Sequence, residues 1–186
     1  MSKIRKSSQQ EVVAAHMQGF LHYEIAGLLG ISVSTVKRRL SGLNLTSNHR
    51  SNRLGKEGEA LMAATLRSKG VAVETMPNGH PFDLLVAGWR VDVKTTGTLL
   101  DDGGFKFWLP NVRPSFRAAY RYPKNYQRDT DFIVLTFLQG GDLLYTYVVP
   151  AQFWKPSIRI HPASLFEPLR EYRDAWALLE ARPAAA

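Results

Sequence analysis

The sequence predicts an α/β fold, a mixed sheet flanked by helices, preceded by a small all-α module. Three observations predict it. Residues 9–40 hold three short stretches of helical periodicity broken by glycine and serine. Residues 57–69 form one longer helical stretch, followed by short runs rich in β-branched and aromatic residues. The apolar runs 131–138 and 143–149 flank Gly140-Gly141-Asp142, the pattern of a hairpin. With 186 residues the chain has room for one small and one medium domain. The expected boundaries are a module over 1–46, a linker over 47–54 and a second domain over 55–186.

In the module, Val12, Val13, Met17 and Phe20 give a first helix over 9–20. A second covers 23–29 and ends at Gly30, which is free to turn left-handed. Ser32 caps a third over 33–40, closed by Gly42. The polar run 46–53 contains no periodic apolar residue and reads as the linker. Leu61, Ala64, Thr65 and Leu66 mark the helix 57–69. Strands are expected over 71–75, 82–87, 90–95 and 105–109, and a helical turn over 116–122. Leu169, Tyr172, Trp176 and Leu179 lie three or four apart and predict a final amphipathic helix.

Charge and composition narrow the function. Lys and Arg number 24 against 16 Asp and Glu, a net +8. The excess is uneven: residues 1–53 hold eight basic and two acidic residues, and 54–186 hold sixteen and fourteen. Such a basic module suits a polyanion, because each cation placed near a phosphate releases a counter-ion. Without cysteine there is no disulfide, zinc–thiolate site or thiol nucleophile. No apolar run is long enough to span a bilayer, and the basic start is followed by polar residues rather than a signal core. The expectation is a cytoplasmic protein with no membrane partner.

The run from His22 to Leu40 follows helix-turn-helix logic. Ala26 is small where two helices cross, Gly30 makes the turn, and Ile25, Leu29, Ile31 and Val36 form a shared core. Ser32, Ser34, Thr35, Lys37, Arg38 and Arg39 are then left to face base edges and phosphates of a major groove. The segment Ile31-Ser-Val-Ser-Thr-Val-Lys37 resembles the helix-turn-helix of LuxR-type regulators and of sigma-factor region four. The alternative is a helical bundle used for dimerisation.

The chemistry centres on Asp92-Val93-Lys94. Residues two apart on a strand share a face, so Asp92 and Lys94 project together. If Gly88-Trp89 is a two-residue turn, Asp83 lies opposite Lys94 and diagonal to Asp92 on that same face. Phe82, Leu84, Val86, Val91 and Val93 form the other, apolar face, ready to pack on the 57–69 helix. Two carboxylates suit a hard divalent cation such as Mg²⁺, with Mn²⁺ able to substitute. Glu59, on the preceding helix, is the expected third carboxylate, with Glu57 its rival. Lys94 would stabilise charge on a reacting phosphate.

Gly55-Lys-Glu-Gly-Glu59, Pro81-Phe-Asp83 and Asp92-Val-Lys94, followed by Thr95-Thr96, resemble in that order the PD-(D/E)XK nuclease superfamily. Here Phe82 separates the proline from the aspartate, a departure from the contiguous pair. The resemblance implies a restriction-endonuclease-like core in which Asp83, Asp92 and Glu59 bind metal, Lys94 assists catalysis, and double-stranded DNA is the substrate. Among such nucleases the chain is most similar to intron homing endonucleases. Residues 103–128 contain no acidic residue, and Arg113, Arg117, Arg121 and Lys124 there, interleaved with aromatics, would track a phosphate backbone.

The expected function is therefore a metal-dependent, site-specific DNA endonuclease of homing or restriction type. Cutting both strands implies a homodimer or homotetramer. Two other readings remain open: a Holliday-junction resolvase-like nuclease, and a DNA-binding regulator with an inactive nuclease-like domain.

Overall fold

The computed structural model describes residues 8–43, 45, 48–114 and 121–180. The chain divides into two compact units, Met1–Arg53 and Leu54–Ala186. In the first, α1 (Gln9–Met17), α2 (His22–Leu29) and α3 (Val33–Ser41) close around Val12, Ala15, Ile25, Ala26, Val36 and Leu40. Ser8 caps α1 through a reciprocal box with Glu11, and Ser32 caps α3 by accepting from the Thr35 N–H. Gly30 ends α2 at φ +62°. Met17, one of the residues that mark the helical spacing, is 75% exposed, while Val12 and Ala15 are buried. Asn48 ties down the end of α1 by donating to the carbonyls of His16 and Phe20, at 2.7 and 3.1 Å.

Helix α4 (Arg50–Ser68) begins earlier than expected. Residues 50–54, assigned to the linker, belong to this helix, and 50–53 are its first turn. No apolar residue lies between 50 and 53, so helical periodicity gives no sign of this polar first turn.

Strands β1 (Val73–Thr75), β2 (Leu84–Val86), β3 (Trp89–Thr96), β7 (Phe132–Gln139) and β8 (Asp142–Pro150) form a five-stranded sheet in the order β1-β2-β3-β7-β8. The β3–β7 pair is parallel and the others are antiparallel. This is the α/β class with a mixed sheet that the sequence predicts. The crossover from β3 to β7 carries β4 (Phe105–Trp108), β5 (Val112–Pro114), β6 (Arg121–Pro123) and the short α5 (Tyr126–Asp129). β4 pairs with a further strand, β9 (Ser157–Ile160), and β5 pairs with β6. Part of the expected 116–122 turn is thus strand β6, and 116–120 lie outside the described residues.

One face of the main sheet packs Leu84, Val86, Val91, Val93, Val134 and Val148 against Met62, Ala63 and Leu66 of α4. The other packs Ile133, Leu135, Phe137, Tyr147 and Val149 against Phe105, Phe107, Ile158, Ile160 and Tyr126.

The expected last helix does not form. Residues 170–172 and 176–179 are single 3₁₀ turns separated by Asp174 at φ +50°. Arg173 bridges to Tyr147, and the Asp174 N–H donates to the Thr146 carbonyl at 2.9 Å. The chain thereby follows the edge of β8. Leu169 and Tyr172 pack on one sheet face, while Trp176 and Leu179 pack on the other. Their spacing, which suggests one helical stripe, belongs to a segment that wraps an edge. Among the described residues no helix is long and apolar enough to cross a membrane.

Candidate active site

The β2–β3 hairpin positions the first two carboxylates. Val86 pairs with Trp89 and Leu84 with Val91, so the turn is Ala87-Gly88 rather than Gly88-Trp89. Both turn residues have positive φ, +46° and +89°, as a tight twisted hairpin requires. This register sets Asp83 opposite Asp92, not opposite Lys94. Moving the turn back by one residue shifts the pairing by two positions, so the parity survives. Asp83, Asp92 and Lys94 still share a face.

At Asp83 the strand pairing gives way to a side chain. The Asp83 N–H donates to the Val91 carbonyl at 3.0 Å, and its carboxylate accepts the Val93 N–H at 2.7 Å. The carboxylate occupies the place of a ladder acceptor just beyond the end of β2, which both satisfies Val93 and fixes Asp83.

Asp92 is fully buried in the middle of β3. Its parallel partner is Ile133, and that of Lys94 is Leu135. The pair therefore sits within the apolar layer that includes Tyr126. A carboxylate there is tolerable only with charged partners. It has two: the Lys94 ammonium donates to Oδ1 and the Lys124 ammonium to Oδ2. The Lys124 and Lys94 side chains are only 12% and 23% exposed, so neither is a solvated surface pair. Both ammoniums also lie over the Tyr126 ring, at 4.4 and 5.8 Å from its centroid.

Helix α4 contributes Glu59. Gly58 allows it: a β-carbon there would sit 2.8–2.9 Å from Cγ2 and Cβ of Thr95, so α4 approaches β3 too closely for any side chain. Thr95 is held in turn by the Thr136 hydroxyl at 3.0 Å. Burial, followed by the charge of Asp83, pushes the Glu59 carboxyl up to about 7, with Lys94 opposing and Asp92 adding. Glu57, the rival, is exposed and lies near the Gly140-Gly141 turn between β7 and β8.

The electrostatics are those of a crowded acidic centre. Burial and then Asp92 raise Asp83 above the ordinary aspartate value. Burial works against the Lys94 ammonium, yet Asp92 and Asp83 outweigh it and hold that lysine above its usual value. Burial and the adjacent Lys94 pull Lys124 down. The three carboxylates are hard oxygen donors, the chemistry that accepts one hard divalent cation. The residues that would hold it are Asp83, Asp92 and Glu59. Among the described residues no three acidic or histidine side chains are gathered into a ready cage. At Asp92 each carboxylate oxygen instead accepts from one ammonium group.

The expected nucleic-acid contacts separate into three groups. At the start of α3 and along it, Ser32, Ser34, Lys37 and Arg38 are exposed, but the capping Ser32 also binds the hydroxyls of Ser34 and Thr35 at 2.8 and 2.9 Å. Arg39 is half-buried and donates to the Ser8 carbonyl at 3.2 Å, so it does not simply face outward. Arg113 and Arg121 fall on β5 and β6, where Arg113 pairs with Tyr122 and Pro114 with Arg121. Arg117 lies outside the described residues. Lys124, grouped with these arginines by sequence, is instead bound to Asp92. Thirty-two residues separate the two, and no local pattern signals the contact. Tyr126, the floor beneath both lysines, is legible in the sequence only as one aromatic among several.

No family model matches the chain, and no curated protein matches it. Among solved structures it is similar to a bacterial homing endonuclease, I-Ssp6803I, at 20% sequence identity and a TM-score of 0.53. The match covers 69% of this chain and 92% of that one. What the two proteins share at this distance is the fold: a mixed sheet with flanking helices, built as in that endonuclease.

Proposed function

We propose that the chain is a metal-dependent endonuclease that hydrolyses phosphodiester bonds of double-stranded DNA at a specific site. The observation that carries this is the buried Asp92 carboxylate on a central strand, with Lys94 two residues on, Asp83 across the hairpin and Glu59 on the helix beneath. Its fold likeness to a protein described as a homing endonuclease supports the same reading. When bound, Mg²⁺ or Mn²⁺ would supply Lewis-acid stabilisation of the phosphate and an activated water. Asp83 and Asp92 present oxygen ligands from neighbouring strands. Lys94 keeps its positive charge in a buried setting, where it offsets negative charge that develops on the phosphate. The Tyr126 ring excludes water beneath both ammoniums.

The α1–α3 unit serves in this reading as a helix-turn-helix that reads the site, with Lys37 and Arg38 on phosphates or base edges. Two cuts, one per strand, call for two such chains or four.

The test uses purified protein with linear, supercoiled and four-way DNA, in Mg²⁺ and in excess chelator. Discrete cleavage of linear duplex in Mg²⁺ and none in chelator is expected. Replacing Lys37 and Arg38 by Ala should lower the salt slope of binding by about one unit for each phosphate the module no longer neutralises. Robust cutting in chelator would contradict the metal assignment. Preference for the four-way substrate would move the activity to a junction-resolving enzyme.

A further inference from the structure

The D-x-K strand gives Asp92 one lysine, and the fold gives it a second. Lys124 reaches Asp92 from a separate part of the chain, between β6 and α5. Its backbone N–H is fixed by the Asn111 carbonyl at 2.8 Å, and the following Asn125 caps α5 by accepting from the Arg128 N–H at 3.1 Å. Its ammonium stands 4.4 Å from the centroid of the Tyr126 ring, a buried tyrosine whose hydroxyl has no hydrogen-bond partner among the described residues. Lys124 is therefore held at both ends and aimed at Oδ2 of a carboxylate with no exposure to water.

That arrangement has a consequence for any cation the site takes. Both Asp92 oxygens carry ammonium groups, so a divalent ion on either oxygen meets a like charge at contact distance, and its binding is favoured when one ammonium leaves. Lys94 belongs to β3 itself, and its ammonium is also placed beside the Val93 carbonyl at 3.3 Å. Lys124 stands outside the main sheet, on the crossover from β3 to β7, with its ammonium on Asp92 and over the Tyr126 ring. A DNA phosphate is the ligand class that an ammonium freed from a carboxylate would take.

We propose that Lys124 is a further active-centre residue, the counter-ion of Asp92 when no divalent ion is bound, which passes from that carboxylate to a DNA phosphate as the ion takes its place. The inference rests on the nuclease reading above. It makes ion binding and DNA binding mutually reinforcing: whatever factor DNA adds to ion affinity, the ion adds to DNA affinity. It also separates the roles of the two lysines, one resident on the strand and one exchangeable.

The experiment is Mn²⁺ titration by calorimetry on the full chain without DNA, for wild type, Lys124→Met and Lys124→Arg, alongside cleavage of duplex DNA in Mn²⁺. Lys124→Met removes the competing charge and should bind Mn²⁺ at least about tenfold more tightly while cutting more slowly. Lys124→Arg restores the charge and should return affinity to near the wild-type value. Lys124→Gln, which keeps a shorter stem and a donor but no charge, replaces the Met variant if melting shows that the latter is unfolded. Equal or weaker Mn²⁺ binding by the neutral variants, with wild-type cleavage intact, overturns the role of Lys124 and leaves the nuclease reading standing. Absence of both Mn²⁺ binding and cleavage in the wild type overturns both.

Discussion

The two faces of β3 alternate residue by residue, yet opposite physics governs them. Val91 and Val93 face α4, where size decides the fit: Gly58 against Thr95, with Met62, Ala63 and Leu66 filling the rest. Asp92 and Lys94 face the other way, where charge decides it: two carboxylates opposed across the hairpin, a third on the helix, and two lysines between them. Burying that polar group is costly, and the apolar face provides the stability that offsets it. A single strand thus anchors the fold on one side and gathers reactive groups on the other. The helix that covers the first side carries Glu59, whose carboxyl feels the charges of Asp83, Lys94 and Asp92.

The packing side predicts the largest loss of stability. Gly58→Ala forces a methyl into the Thr95 side chain, so α4 must lift from β3. The expected cost is about 2–4 kcal/mol by thermal or denaturant unfolding. A variant as stable as the parent would show that the helix–strand contact is loose and that Glu59 is not positioned by it.

The charged side predicts a pH effect. The Glu59 carboxyl, pushed up from 4.5 to about 7, binds its proton more tightly folded than unfolded. Its contribution to stability is thus complete below about pH 4.5 and is lost as pH rises through about 7. In chelator, Glu59→Gln should gain about 1–2 kcal/mol relative to wild type between pH 4 and pH 8, a figure reduced for partial solvent exposure. A flat difference curve would place Glu59 outside the acidic cluster.

The smallest effect lies at the turn both faces share. Ala87 holds φ +46°, a region that side chains disfavour. Ala87→Gly should stabilise the hairpin by about 0.5 kcal/mol, since the relief of strain exceeds the added chain entropy. A loss of stability would mean that the Ala87 methyl contributes packing that outweighs its strain.

The parts of this comparison legible in the sequence are those encoded locally. The alternation in residues 91–94 announces both faces. Gly140-Gly141 announces the β7–β8 hairpin, and Ser32 the start of α3. The β2–β3 register differs from expectation because glycine signals only one of the two positive-φ positions, and nothing in an alanine marks the other. The segment from Leu169 to Leu179 misleads because apolar spacing of three or four does not distinguish a helix face from a chain that crosses a sheet edge. Lys124 reads in sequence as one of the basic residues around it, and only the long crossover from β3 to β7 brings it to Asp92. Contacts closed by long loops leave no periodic trace, and this one adds the second cation of the site.

If Asp92 is the ligand around which a metal-dependent nuclease centre is built, its amide should be nearly inert. The most direct test is single-turnover cleavage of long duplex DNA in Mg²⁺ by Asp92→Asn beside wild type, with DNA binding and melting measured on the same preparations. The expected result is a folded variant that binds DNA within a few-fold of wild type and cuts at least about a thousandfold more slowly, as when an essential group of the transition state is removed. Cleavage by Asp92→Asn at the wild-type rate would contradict that role and place the chemistry elsewhere in the chain.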